Sequence, residues 1–167
     1  MPAKNLGWEK FTKRITINTD VQTVYNALCT RAGIESWFLR EAIFSRSGTV
    51  LYHDDEIKEN DIYRWRWHGH GDDITEHGKI LAANGKDMLQ FTFTGNCTVT
   101  VNIYKEDNET IAELTQENIP ADDDPETNLY VGCGEGWTFY LANLKSVLEG
   151  GLDLRNKNIN LKRVVNS

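Results

Sequence analysis

Apolar and polar positions alternate through residues 11–17, where Phe11, Lys13, Ile15 and Ile17 stand against Thr12, Arg14 and Thr16, and this period of two predicts a strand. The period then lengthens. Val21, Val24, Tyr25 and Leu28 recur at helical spacing and make one apolar stripe, while Thr19 and Gln22 have the spacing of a capping box at its start. A second short helix is expected from Ala32 to Phe38, with Trp37 and Phe38 anchoring the connection to a sheet. From about residue 40 to 118 the pattern is of strands and turns throughout.

The turns set which side chains share a face. Asn84-Gly85 reads as a two-residue type I′ hairpin, which places Ile80 opposite Leu89. At Gly95-Asn96 a two-residue loop would set Phe93 and Phe91 against threonines. A three-residue loop, Thr94-Gly95-Asn96, instead pairs Phe93 with Cys97, Phe91 with Val99 and Leu89 with Val101, and is preferred because one residue of slip inverts a strand's faces. With a turn at Asp107-Asn108, Ile103 falls opposite Ala112 and Val101 opposite Leu114. The other face carries Gln90, Thr92, Thr98, Thr100, Asn102, Glu113 and Thr115 and should meet water. In the strand from Tyr63 to Trp67 the three aromatics point inward and Arg64 and Arg66 outward. Three polar residues also fall on the inward side: Gln116 opposite Val99, Asn118 opposite Cys97, and Glu76 opposite Phe93.

A long helix closes the pattern. Asp124 at N-cap, Pro125 and Glu126 predict its start, and Gly150-Gly151 its stop. Leu129, Tyr130, Cys133, Trp137, Tyr140, Leu141, Leu144, Val147 and Leu148 fall within an arc of roughly 120°, leaving Phe139 outside it and free to touch a loop or a second subunit. Such a helix would run about 37 Å. Gly132, Gly134 and Gly136 lie inside it, each costing about 1 kcal/mol of helix stability relative to Ala, which points to close packing on the sheet or to a softer segment that admits a ligand. After Gly151 the Asn- and Lys-rich tail is expected to be partly disordered, so the chain divides into a domain over residues 1–155 and a polar tail over 156–167.

With 167 residues, 40% of them apolar and 26% charged, the chain has enough material for one buried core. A net charge of −7 argues against nucleic acid and against an anionic membrane surface as partners. No apolar run reaches the length of a membrane span, and the opening Met1–Trp8 lacks the apolar stretch of a secretory signal, so a cytoplasmic protein is expected. Cys29, Cys97 and Cys133, odd in number and far apart, read as buried thiols.

The order of strand, short helices, antiparallel strands and one long terminal helix resembles the START-like (SRPBCC) superfamily. Within it the chain is similar to the group of the C-terminal domain of the activator of heat-shock protein 90 ATPase. The residues that carry the likeness are Ile15-Thr16-Ile17, Val24, Leu28, Trp37-Phe38, Tyr63 to Trp67, Gly78, Gly136-Trp137, Leu141, Leu144, Leu148-Glu149 and Gly151, over roughly residues 11–155. The resemblance implies an α+β helix-grip fold: a curved antiparallel sheet wrapped around the long C-terminal helix, with two short helices after the first strand. It also implies an apolar cavity between helix and sheet, and among its members are lipid carriers, aromatase/cyclases and chaperone partners.

On these grounds the expected function is non-catalytic binding of a small hydrophobic or amphipathic molecule. Tyr63, Trp65, Trp67, Phe91, Phe93, Val99, Tyr130, Cys133, Trp137 and Leu141 would supply apolar contacts, with Glu76 and Gln116 as orienting polar groups. The alternatives are a chaperone-interaction module and a polyketide cyclase-like enzyme. No nucleophile elbow, phosphate-cradling loop or dinucleotide fingerprint is present, and no cofactor is expected. His68, His70, Asp72, Asp73 and His77 have spacings that could bind metal, but they read as solvated histidines in a Gly- and Asp-rich loop; no metal is expected. Asp122 to Asp124 read as capping residues.

Overall fold

Strand β1 (Phe11–Ile17) alternates as its sequence requires and leads into helices α1 (Val21–Cys29) and α2 (Arg31–Trp37). The computed structural model describes residues 7–167, so the reading of the N-terminus as free of a signal stretch falls largely outside the described residues. Strands β2 (Glu41–Arg46), β3 (Thr49–Val50), β4 (Ile62–Arg66), β5 (Thr75–Ala83), β6 (Met88–Phe93), β7 (Cys97–Glu106) and β8 (Glu109–Glu117) follow, and α3 (Leu129–Leu148) crosses their inner face. All eight strands form one curved antiparallel sheet in the order β1-β8-β7-β6-β5-β4-β2-β3. Because β1 and β2 lie toward opposite ends of that order, α1 and α2 carry the chain across the concave face, which they share with α3. This is the helix-grip arrangement. No helix among the described residues is long and apolar enough to cross a membrane.

The β6–β7 and β7–β8 registers match the expectation: Phe93 faces Cys97, Phe91 faces Val99, Val101 faces Leu114, and Ile103 faces Ala112. Gly95, with φ +68, supplies the left-handed residue that the three-residue connection needs. The Asn84-Gly85 hairpin differs. Asn84 Oδ1 accepts from the backbone N–H groups of Lys86, Asp87 and Met88, so its side chain organises a longer loop, and Ile80 faces Phe91 instead of Leu89. An irregularity between Ile80 and Ala82 restores the parity that the longer loop would have inverted, and Ile80 stays inside.

Both helix starts also shift. The cap of α1 is Asp20, whose carboxylate accepts from Thr23 N at 2.7 Å, while Thr19 N is engaged by the Ile17 carbonyl. Asp124 caps one turn only, accepting from Glu126 N at 2.9 Å; the chain then straightens at the buried Asn128, which recaps it by accepting from Tyr130 N and Val131 N. The helix is therefore 20 residues, about 30 Å long. Its end is as expected, with Gly150 at φ +81 and Gly151 N donating to the Ser146 carbonyl.

The segment after α3 is fastened where partial disorder was expected. Buried Arg155 donates to the carbonyls of Glu35, Ser36 and Leu39 around the end of α2 and pairs with Asp153, and Asn143 bridges Trp37 O to Leu154 N. Arg155 and Asn143 hold the Asp153 carboxyl well below the usual range. Phe139, outside the main arc, is half-buried and sits edge-on to Tyr140.

Candidate functional site

The interface between α3 and the sheet is closed in one half and hollow in the other. Toward the C-terminal half, Leu141 and Leu144 interlock with Leu28, Ile34, Leu89, Val101 and Leu114, leaving a void of about 10 Å³ that cannot hold even one water. Toward the N-terminal half the surfaces part around a cavity of about 480 Å³, within the range that takes drug-sized molecules. Trp137 stands between the two and borders both.

The cavity wall is assembled from distant segments. Phe38 follows α2, Trp67 and His70 follow β4, Ile74 and Glu76 enter β5, and Phe93 and Thr94 end β6; residues 126–129, Gly132, Cys133, Gly136, Trp137 and Tyr140 come from α3 and its lead-in. Ser167 completes the rim. The rings are locked together: Phe38 lies 5.0 Å from Trp137, 4.9 Å from Tyr140 and 6.0 Å from Trp67, and Phe93 lies 5.4 Å from Trp137. Gly132 and Gly136, one turn apart, face open space, since a Cβ added at either would meet nothing within 4 Å. The same two glycines border both this hollow and a second depression lined by residues 163–165. Gly134 is different, with the Lys13 side chain next to it.

Trp137 is oriented by chemistry as well as by packing. Its Nε1–H donates to Oε1 of the fully buried Gln116 at 2.8 Å, and Gln116 holds its inward place opposite Val99. Among the described residues, Gln116 Nε2 and Trp65 Nε1 meet no hydrogen-bond acceptor. Burial raises the thiols of Cys97 and Cys133, an effect partly offset by the nearby Gln116 amide. Tyr140 is pushed up to about 12 by burial.

Glu76 pairs in register with Trp65 of β4, not with Phe93, since the β5–β6 ladder ends at Ile80 and Phe91. It faces inward all the same, because directly opposed residues share a face, and Trp65 is wholly buried. Burial raises its carboxyl above the ordinary carboxylate value. Asn118 adopts φ +60 and is exposed, its Nδ2 reaching Thr98 on the outer face rather than the interior.

Among the sequence-chosen contacts, Trp67, Glu76, Phe93, Cys133 and Trp137 meet at the cavity. Phe91 and Leu141 lie in the packed half. Tyr63, Trp65, Val99 and Gln116 are buried beneath the wall; Tyr63 stacks on Trp65 at 3.7 Å and lies so close over Gly78 that no Cβ could stand there. Tyr130 turns the other way, stacking on Trp8 at 5.7 Å and meeting Phe11 edge-on. Sequence reasoning missed Phe38, His70, Tyr140 and the residues 126–129 as wall elements. The paired glycines were the usable signal for the hollow.

His68 and His70 are half-buried rather than solvated. Burial, then Arg155 and Lys157, lower the His68 pKa, and His70 lines the cavity. Asp72 is tied to Arg40 at 2.5 Å. No group of three or more His, Cys, Asp or Glu among the described residues is gathered to hold a metal. Asp122 serves the turn before α3, accepting from Asp124 N and Thr127 Oγ1.

Comparison with solved structures gives the same architecture. Protein SSP2350 from Staphylococcus saprophyticus aligns with a TM-score of 0.67 and 17% identity over 90% of this chain and 98% of that one. The Aha1 dimer from Colwellia psychrerythraea aligns with 0.65 and 18% over 85% and 97%. DynU16, from the dynemicin biosynthetic locus, aligns with 0.66 and 15% over 87% of this chain but 49% of its own. At these identities the likeness is one of fold. Comparison with curated proteins gave no significant match. The family model for activator of Hsp90 ATPase homolog 1-like proteins matches residues 18–149, from the approach to α1 to the end of α3. The chain belongs to that family, within the START-like (SRPBCC) superfamily.

Proposed function

We propose that the protein is a non-catalytic cytoplasmic binder that holds one small hydrophobic or amphipathic molecule in the cavity beneath the first half of α3. The observation that carries this reading is the asymmetry of the interface: a helix that interlocks with the sheet in its second half leaves about 480 Å³ in its first, walled by five aromatic rings and faced by two glycines. Trp67 and Phe93 are only half-buried at this hollow, and an apolar guest would complete their burial. Native mass spectrometry of the purified protein before and after lipid extraction tests the reading, together with titration of a fluorescent hydrophobe. One bound species per chain, or saturable uptake of the probe by the extracted protein, is expected. An unliganded chain that takes up no probe would refute it.

The family description favours a second reading, in which the domain contacts a heat-shock protein 90 chaperone. That reading predicts altered ATP turnover when the chaperone is mixed with a saturating amount of this protein, and an unchanged rate counts against it. The Colwellia relative is a dimer, which motivates sedimentation analysis for a second copy of this chain.

A further inference from the structure

We infer that the cavity selects a cationic guest, a protonated amine carried on an apolar or aromatic body, and discriminates against carboxylates such as fatty acids. This rests on the reading of the cavity as a ligand site and adds the charge of the ligand.

Three observations converge on it. The first is the charge of the wall: among its described residues the carboxylates are Glu76 and Glu126, no Lys or Arg lines it, and His70 is the one imidazole. Of the guanidinium groups nearby, Arg40 is committed to Asp72 and the Trp67 carbonyl, Arg66 to Glu41 and Asp72, and Arg155 to Asp153 and three carbonyls, while Arg163 lines a separate depression beside Gly132 and Gly136. An anionic headgroup would enter between walls that carry no Lys or Arg among the described residues, with a carboxylate opposing it.

The second is Glu76 itself. Its position opposite Trp65 turns it inward, and its carboxylate is in no ion pair among the described residues, with His77 the group that acts on it attractively. A half-buried carboxylate is partly stripped of water, and an ammonium N–H group would meet it through a charge-assisted hydrogen bond. The third is the chemistry of the other walls. The rings of Phe38, Trp67, Phe93, Trp137 and Tyr140 border the same space, and the faces of such rings attract cations while accepting an apolar body.

The test is a matched series of one chain length, decylamine, decanol and decanoate, titrated at neutral pH below their micellar concentrations by calorimetry or by displacement of a fluorescent hydrophobe. Wild type, Glu76→Gln and the surface control Glu59→Gln, at an exposed residue outside the cavity wall, are compared. The amine is expected to bind about tenfold more tightly than the alcohol, the energy scale of one hydrogen bond to a charged group, with decanoate weakest. Glu76→Gln should bring the amine to within about twofold of the alcohol while leaving the alcohol unchanged, and Glu59→Gln should keep the preference. Decanoate binding as tightly as decylamine, or a preference that survives Glu76→Gln, would overturn the inference and leave the cavity reading standing. Failure of all three to bind wild-type protein would overturn both.

Discussion

The two halves of the α3 interface use the same helix and the same sheet and reach opposite outcomes. In the second half Leu141 and Leu144 drop into a surface of Leu89, Val101 and Leu114 and exclude all space. In the first half Gly132 and Gly136 leave it open. The sheet contributes large inward side chains to both, Phe93 and Trp67 on the hollow side no less than Leu89 and Val101 on the packed side. Helix composition therefore decides where the domain is solid and where it is hollow, and the Trp137–Gln116 hydrogen bond marks the boundary. Stability should reside in one half and binding in the other.

The largest effect expected from breaking that division is at Leu144, which is fully buried. Leu144→Ala should cost about 2–5 kcal/mol in denaturant unfolding, because the packed half cannot collapse around the deletion, while probe affinity of the still-folded protein changes little. A smaller effect of opposite sign is expected across the boundary. Gly136→Ala should raise stability by about 1 kcal/mol, since the added Cβ meets open space and glycine is unfavourable inside a helix. A hollow half that tolerates this gain retains glycine for a reason other than stability.

The smallest effect is at Glu76 and depends on pH. Burial raises its carboxyl in the folded chain, so the unfolded chain ionises first as pH rises and the folded state carries a penalty above the folded pKa. Below the unfolded value the penalty is absent. Glu76→Gln should therefore raise the Tm at neutral pH, with the advantage shrinking as pH falls through the carboxylate range. The groups electrostatically coupled to it are His77 beside it on β5, Tyr63, Cys97 and Cys133, and His70 and Glu126 share the cavity. Thermal melts of wild type and Glu76→Gln across the carboxylate range check this pH dependence.

What the sequence made legible follows from what each signal measures. Alternation and parity report which face a residue occupies, and they placed Phe93 against Cys97 and Val101 against Leu114 because a slip would have inverted a whole strand. Face does not report depth. Trp65, Phe91 and Val99 share the inward side with Trp67 and Phe93, yet they are buried under them or in the packed half, because depth depends on where α3 ends its small residues. The two misplaced helix starts and the Asn84 loop share a different cause. In each, a side-chain oxygen, from Asp20, Asn128 or Asn84, captured backbone N–H groups that a neighbouring residue could also have claimed. Phe38, Tyr140 and Ser167 reach the cavity from three separate segments, a juxtaposition that only the assembled fold provides.

Replacing Gly136 by Phe tests the division most directly, because Gly136 borders the hollow and an added side chain starts in open space without removing any native contact. Titrating a fluorescent hydrophobe into wild type and Gly136→Phe, with unfolding followed in parallel, should show one saturable site in wild type, loss of that site in the variant, and no loss of stability. Equal uptake of the probe by both proteins would contradict the account.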